Sequence, residues 1–126
     1  MTKRRILLVD DEVEVARTLK LNLDLSGRYE VRLEHEGRRV LATAHAFEPD
    51  LIVLDLVMPD MRGDEVLRLL RQDERLSRVP VIFLSAVAPG HEAQRVLTEP
   101  WIAKPASAAQ VMEQIENSLG TPPAAC

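Results

Sequence analysis

The sequence predicts an α/β fold: a doubly wound, five-stranded parallel sheet with helices on both faces. Short apolar runs alternate along the 126 residues with stretches in which apolar side chains recur every three or four positions. This alternation is typical of βα units. The run LIVLDL (51–56) is apolar almost without interruption, as expected of a strand covered on both faces. Parallel neighbours need a crossover connection, which a helix usually supplies.

The first two units lie in the N-terminal half of the chain. RRILLV (4–9) predicts a strand, and apolar residues at helical spacing over 13–23 predict a helix that ends near Gly27. YEVRLEH (29–35) alternates apolar and polar residues, which indicates a half-exposed strand. A second helix is expected over 40–47, before the next proline.

The remaining units follow the same pattern. After the strand at 51–56, a helix is predicted over 63–70, and PVIFLS (80–85) and WIA (101–103) predict the fourth and fifth strands. The sequence has no internal repeat and no second set of elements. We therefore expect a single domain.

The C-terminal region has a helix start signal and a helix stop signal. Ser107 followed by Gln110 is the pattern of a capping box, which predicts a last helix running to Leu119. The glycine that follows ends this helix, and two prolines come soon after it. We assign residues 1–119 to the domain and residues 120–126 to a C-terminal tail or the start of a linker.

Composition and charge exclude several classes of function. With 46% hydrophobic and 29% charged residues, and no apolar run near the ~20 residues that span a bilayer, the sequence is typical of a soluble, cytoplasmic protein without membrane partners. The apolar stretch at 6–9 is too short for a signal peptide. A net charge of −4 argues against direct nucleic-acid binding by this domain. The single cysteine, Cys126, excludes an intrachain disulfide and favours a reducing compartment.

Polar residues stand where four of the predicted strands end. Asp10 and Asp11 follow the first strand, Asp55 follows LIVL, Ser85 ends the fourth strand and Lys104 follows the fifth. In open α/β sheets, ligands bind beyond the carboxyl ends of the strands. Three carboxylates, a hydroxyl and an ammonium at that edge predict a site for a divalent metal and a phosphoryl group.

Each of these residues also has an ordinary explanation. The acidic residues after the first strand could cap a helix, Asp55 could be a turn residue, and Ser85 and Lys104 could be loop residues. However, apolar residues continue after Asp55 through Met58, and a buried carboxylate is costly unless it is paired or metal-bound. The joint occurrence of these residues at strand ends favours a site.

The motifs that carry these residues resemble those of a known family. They are LLVDDE (7–12), DLIVLDLVMPDMRG (50–63), PVIFLSA (80–86) and the Lys104-Pro105 pair, which follows Trp101. Over nearly all of residues 4–119 the chain resembles the receiver domain of bacterial two-component response regulators. The resemblance implies a flavodoxin-like (βα)5 fold with strand order 2-1-3-4-5.

The resemblance also implies a phosphoacceptor site. Asp55 would accept a phosphoryl group from a histidine kinase or a histidine phosphotransfer protein, and Lys104 would neutralise the phosphoryl oxygens. A Mg²⁺ or Mn²⁺ ion would be ligated by Asp11, Asp55 and the backbone carbonyl of Val57, with Asp10 acting mainly through water. Such a domain catalyses its own phosphorylation and slow dephosphorylation, but it is primarily a signalling switch.

The same resemblance names the residues of the switch. The hydroxyl of Ser85 would bind the phosphoryl group, Ala86 would leave access to it, and Trp101 would swing inward. The Lys104-Pro105 bond is expected to be cis, which is plausible because the second residue is proline. The alternative for Trp101 is a half-buried packing residue on an edge strand. The output would be an effector domain, a partner protein or a homodimer.

The segment before the fifth strand departs from the family pattern. The sequence has 18 residues between Ser85 and Lys104, about three fewer than usual. Glu99-Pro100 stands in place of the usual Gly-Ala pair, and a short helix is expected between Pro89-Gly90 and Pro100. The frequent aromatic after Lys-Pro is Ala106. These differences affect the standard dimerisation surface and leave the acidic pocket unchanged.

Two other functions are consistent with parts of the pattern. The chain could be a receiver-like adaptor that acts without phosphorylation, although an intact acidic pocket argues against this. It could also be a hydrolase with an aspartyl nucleophile, as in the haloacid dehalogenase class, but that class wants a second aspartate where this chain has Val57. His35, His45 and His91 are expected to face solvent or fill surfaces, with His91 the one that could lie near the phosphoryl group.

Overall fold

The computed structural model describes residues 3–86 and 99–120. Its five strands form one parallel sheet in the order β2-β1-β3-β4-β5, which confirms the predicted fold and strand order. The strands are β1 (Arg4–Val9), β2 (Tyr29–Glu34), β3 (Leu51–Asp55), β4 (Val81–Ser85) and β5 (Trp101–Ala103). Each agrees with its predicted range to within one residue.

Four α-helices are described, and the first three connect consecutive strands. They are α1 (Val13–Leu25), α2 (Val40–Phe47), α3 (Gly63–Gln72) and α4 (Ala108–Leu119), with a 3₁₀ turn at Gly37–Arg39 before α2. The sequence predicts that the third helix ends at Leu70, whereas α3 continues for two more residues, to Gln72. The helix predicted between Pro89-Gly90 and Pro100 and the tail at 121–126 lie outside the described residues. None of the described helices combines the length and apolarity that a membrane span requires.

The core has two layers because strand side chains alternate between the two faces of the sheet. On one face Leu7, Leu54 and Phe83 pack against α2 and α3, and on the other Leu8 and its neighbours pack against α1 and α4. All five residues of β3 are buried, because this strand is central and has helices on both faces. The continuous apolar run in the sequence therefore predicted its position correctly.

Helix α4 begins and ends at the predicted signals. The Gln110 N–H donates to the Ser107 hydroxyl at 3.1 Å, and the Ser107 N–H donates to the Gln110 side chain at 2.9 Å. This is the predicted capping box, which satisfies two backbone donors that the helix itself cannot. Gly120 follows with φ of 83°, a value that glycine adopts without a Cβ clash. Before the helix, the Lys104-Pro105 bond is cis, as predicted.

The register of the strands brings the polar strand ends together. Val9 lies opposite Leu54, Asp55 opposite Leu84, and Ser85 opposite Ala103. The carboxyl ends of β1, β3, β4 and β5 therefore reach the same edge of the sheet at about the same height. The residues that end or follow these strands are neighbours there, although up to 94 positions separate them in the sequence.

Gly63 allows α3 to start directly against the end of β3. Its N–H donates to the Leu56 carbonyl at 2.8 Å. A Cβ on Gly63 would lie 2.6 Å from the Asp55 carbonyl oxygen and 2.9 Å from the Leu56 Cα. Both are backbone atoms at the site edge, so no side-chain rotation can relieve the clash.

We therefore expect Gly63→Ala to lower the free energy of unfolding by about 1–3 kcal/mol, the usual range for overpacking. Arg68→Ala, an exposed position on the same helix, is the control and should change it by less than about 0.5 kcal/mol. Urea unfolding followed by circular dichroism measures both variants. Equal stability of the two would show that α3 can shift away from β3.

Candidate functional site

Besides Glu34 at the end of β2, three polar side chains of the described residues are buried at the carboxyl edge of the sheet. Asp10 follows β1, Asp55 ends β3 and Ser85 ends β4, and they are only 1%, 3% and 1% exposed. Burying a carboxylate is unfavourable unless another charge or several donors compensate it. The site must therefore contain a counter-charge.

Lys104, which follows the edge strand β5, supplies that charge. Its Nζ lies 2.9 Å from Asp10 Oδ2, 3.0 Å from Asp55 Oδ2 and 3.1 Å from Glu12 Oε1. Burial favours the neutral amine, but the hydrogen bonds to these three carboxylates outweigh it and raise the pKa of Lys104 above its usual value. The ammonium is therefore fully charged and holds the carboxylates together.

Asp55 is only partly compensated by this lysine. Its burial raises its pKa from 3.8 to about 7, in spite of the opposing hydrogen bond from Lys104. The negative charge of Asp10 acts in the same direction as burial, whereas the Val57 N–H, which donates to Asp55 Oδ1 at 3.2 Å, opposes it. Asp55 therefore takes up a proton more readily than an exposed carboxylate does, mainly because it is buried.

Three carboxylates of the site could hold a divalent cation. Asp10, Asp11 and Asp55 each place one oxygen so that the three oxygens lie within 4.8 Å of one another. Asp11 is half-buried, whereas the other two are buried, so the group opens toward solvent on the Asp11 side. A set of oxygen ligands with an open side suits Mg²⁺ or Mn²⁺, which keep water in their coordination shell.

The residues assigned to the switch lie along β4 and β5. The Ser85 carbonyl accepts from the Lys104 N–H at 2.8 Å, so Ser85 directly adjoins the base of the lysine side chain. Ala86 follows it and is exposed. Trp101 is on the edge strand β5, opposite Phe83 of β4, and is 37% exposed. The indole is therefore on the surface, outside the acidic cluster.

Two residues at the site were missed by the sequence analysis. Glu12 was read only as part of an acidic helix start, yet its carboxylate is a third partner of Lys104. His35 was expected to face solvent or fill a surface, and its half-buried ring has a specific partner, since Nδ1 lies 2.9 Å from the Asp10 carbonyl oxygen. His45 contacts Asp73 at 2.7 Å, away from the strand ends that form the site, and His91 lies outside the described residues.

The only signal for Glu12 was its position directly after two aspartates, and nothing in the sequence pointed to His35. Both contacts join elements that are distant in sequence. The spacing of residues along the chain therefore could not reveal them.

Comparison with known proteins agrees with this geometry. The response regulator receiver domain family matches residues 6–116. The polar-differentiation response regulator DivK of Brucella ovis is 34% identical over 125 residues, which cover 95% of this chain and 98% of DivK. The DNA-binding dual master transcriptional regulator RpaA of Synechocystis is 39% identical over 83 residues, which are 66% of this chain but only 34% of RpaA.

Solved structures show the same architecture. The chemotaxis protein CheY4 of Vibrio cholerae superposes with a TM-score of 0.84 at 25% identity, covering 93% of this chain and 99% of CheY4. The N-terminal domain of a response regulator receiver protein from Methanoculleus marisnigri gives a TM-score of 0.75 at 29% identity, covering 96% and 100%. With a family match that spans most of its length, the chain belongs to the response regulator receiver domains of two-component signalling.

Proposed function

We propose that this receiver accepts a phosphoryl group on Asp55 from a histidine kinase or a histidine phosphotransfer protein, in the cytoplasm, and changes its surface for a downstream output. The observation that carries the proposal is the position of Asp55. Its buried carboxylate lies 3.0 Å from Lys104 Nζ, and one of its oxygens lies within 4.8 Å of oxygens of Asp10 and Asp11. Residues 1–119 form the receiver in this proposal, and residues 120–126 form a tail or linker.

The same residues suit a bound Mg²⁺ or Mn²⁺. Asp11, Asp55 and the Val57 carbonyl would ligate the ion directly. Asp10 would act mainly through water. Its Oδ1 accepts from the Glu12 N–H at 3.0 Å and its Oδ2 contacts Lys104. When bound, the ion supplies positive charge to the phosphoryl oxygens.

The chemistry then depends on Asp55 and Lys104. A carboxylate oxygen of Asp55 attacks the phosphorus in line, and the phosphorus–nitrogen bond of the donor phosphohistidine breaks as the new phosphorus–oxygen bond forms. The electron pair leaves on the imidazole nitrogen, which takes a proton from solvent. Lys104 is already within hydrogen-bond distance of Asp55, so its ammonium can follow the phosphoryl oxygens as charge collects on them.

A groove between α1 and the start of α4 is the surface that we propose for the donor protein. It has a volume of about 400 Å³ and lies between α1 and the segment that follows Pro105, where Val15, Leu19, Ala106 and Ala108 contribute apolar lining. Val15 is 45% exposed. The lining includes Ala106, two residues after Lys104 in the sequence, and in this proposal a donor bound there presents its phosphohistidine to Asp55.

The switch would use residues that adjoin the new phosphate. Phosphorylation adds up to about two negative charges and three strong acceptors at Asp55. The Ser85 hydroxyl can donate to one of these oxygens, and Ala86 leaves room for the movement. Trp101 and Pro105 lie on either side of Lys104 in sequence, so a movement at the lysine would reach the edge of the sheet.

The central test is phosphorylation by acetyl phosphate with Mg²⁺, followed by intact mass. We expect one added phosphate on the wild type and none on Asp55→Asn, because the amide is nearly isosteric but cannot form an acyl phosphate. Asp64→Asn, a surface position whose carboxylate pairs with Arg62, is the control and should label normally.

Unchanged labelling of Asp55→Asn would exclude Asp55 as the acceptor. A wild type that binds Mg²⁺ but is labelled by neither acetyl phosphate nor a phosphorylated donor would favour the phosphorylation-independent adaptor. Rapid release of inorganic phosphate with turnover would favour an aspartyl hydrolase.

A second test uses the stability of the metal-free protein as a function of pH. The pKa of Asp55 is about 7 in the folded protein and about 3.9 in an unfolded chain. Between these values the folded state binds more protons, so stability falls as the pH rises through 7 and is lowest above it. We expect a loss on the order of 1–2 kcal/mol between about pH 5.5 and pH 8.

Urea unfolding at several pH values measures this loss. Asp55→Asn should flatten the profile, and Mg²⁺ at about pH 8 should restore stability by binding the folded state. The pKa values of Glu34 and Asp60 are lowered, so these carboxylates affect the pH dependence of stability only in more acidic solution. They do not contribute between about pH 5.5 and pH 8. Identical profiles for wild type and Asp55→Asn would contradict the assignment.

The single tryptophan reports on the switch. Trp101 emission should change with a saturable curve as Mg²⁺ is added, and beryllofluoride, which mimics the acyl phosphate, should change it further. Ser85→Ala should weaken this second change, because it removes the hydroxyl that binds the new oxygens. If emission ignores beryllofluoride in protein shown to be phosphorylated, Trp101 is a static packing residue on the edge strand.

A further inference from the structure

We propose that His35 is a positioning residue that orients the peptide between Asp10 and Asp11 and thereby sets the affinity of the site for Mg²⁺. Its ring Nδ1 lies 2.9 Å from the Asp10 carbonyl oxygen. A carbonyl oxygen only accepts hydrogen bonds, so Nδ1 must carry the proton. The inference rests on the metal site proposed above and adds to it a residue outside the ligand set.

The way strand β2 ends explains why a side chain takes this position. The Asp10 N–H donates to the Glu34 carbonyl at 3.0 Å, which continues the β1–β2 ladder by one residue. In the regular parallel pattern, the Asp10 carbonyl would next accept from the Glu36 N–H. That N–H instead donates to the Glu34 carboxylate at 3.1 Å. The imidazole of His35 therefore occupies the donor position that the ladder leaves open.

The Glu34 carboxylate is itself firmly held. Its side chain is 10% exposed and lies 3.9 Å from Arg39. One oxygen accepts from the Thr43 hydroxyl at 2.6 Å, and the other accepts from the His35 N–H at 2.8 Å as well as from Glu36. These contacts fix the backbone of His35, and they limit the directions in which its ring can point.

The consequence for the metal site follows from the covalent chain. Both backbone polar groups of Asp10 are bonded to the end of β2, its N–H to Glu34 and its carbonyl to His35. The carboxylates of Asp10 and Asp11 extend from this peptide unit. Hydrogen bonds that orient metal ligands from outside typically change metal affinity by about 10- to 100-fold when they are lost.

The same segment also contacts the loop on the other side of the site. The backbone N–H groups of Gly37 and Arg38 donate to the Asp60 carboxylate at 3.1 and 3.0 Å. Asp60 belongs to the loop after Asp55 that carries the Val57 carbonyl. Residues 34–38 therefore connect the two loops that would supply the metal ligands.

The test compares His35→Asn with His35→Leu in the full chain. Asparagine has an amide nitrogen the same number of bonds from Cα as histidine Nδ1, whereas leucine has a similar branched shape without a donor. Isothermal titration calorimetry with MgCl₂ should find His35→Asn within about twofold of wild type and His35→Leu weaker by about tenfold or more. His45→Leu removes the contact with Asp73 away from the site and should bind Mg²⁺ like wild type.

Thermal unfolding in metal-free buffer separates positioning from stability. A lower melting temperature for His35→Leu with unchanged Mg²⁺ affinity would overturn the proposal, and so would equal affinities of the Asn and Leu variants. If His35→Leu does not fold, His35→Ala takes its place as the variant without a donor. A wild type without saturable Mg²⁺ binding would overturn the metal site itself, and that result is seen before any variant is made.

Discussion

The contact between Lys104 and the carboxylates of Asp10 and Asp55 is the interaction on which the rest of the site depends. It allows two acidic side chains to be buried at the ends of neighbouring strands. Without this counter-charge, these carboxylates would need water to solvate them. Removing Lys104 would leave the buried carboxylates uncompensated, and the loss of one partner of a buried ion pair typically costs about 3–5 kcal/mol. The compensation is incomplete, because one ammonium faces the carboxylates of Asp10, Glu12 and Asp55. The folded protein therefore retains an excess of negative charge that an added cation can balance.

The sheet order makes this contact geometrically available. Lys104 follows an edge strand, whereas its acidic partners follow or end two inner strands, and β4 lies between them. The Lys104 backbone is bonded to Ser85 at the end of β4, so its side chain must extend across that strand to reach Asp55. Close packing of α3 against β3 also holds Asp55 in place, since Gly63 lets the helix approach the last residues of this strand. The site is thus built from the strand ends, and the helices hold those ends in place.

Strand β2 contacts the site through the backbone of Asp10. The buried carboxylate of Glu34, the last residue of β2, accepts hydrogen bonds from the N–H groups of His35 and Glu36, and the β1–β2 ladder ends there. The Asp10 carbonyl is then bonded by the ring of His35. A buried polar network of this kind rigidifies the backbone when every member is satisfied. The acidic turn after β1 is therefore hydrogen-bonded to the end of β2 and to the segment that leads into α2.

The sequence alone determined the elements of the fold and the principal residues of the site. Apolar periodicity located the strands and described helices to within about two residues, and capping residues located the start of α4. The rule that parallel strands end at one edge brought Asp10, Asp55 and Lys104 together. Only the tertiary structure showed that Glu12 contacts Lys104, 92 positions away, and that His35 contacts Asp10, 25 positions away. Local sequence patterns predict the secondary structure of each segment. Contacts between side chains depend instead on the distances between packed elements, and these distances cannot be obtained from the spacing of residues along the chain.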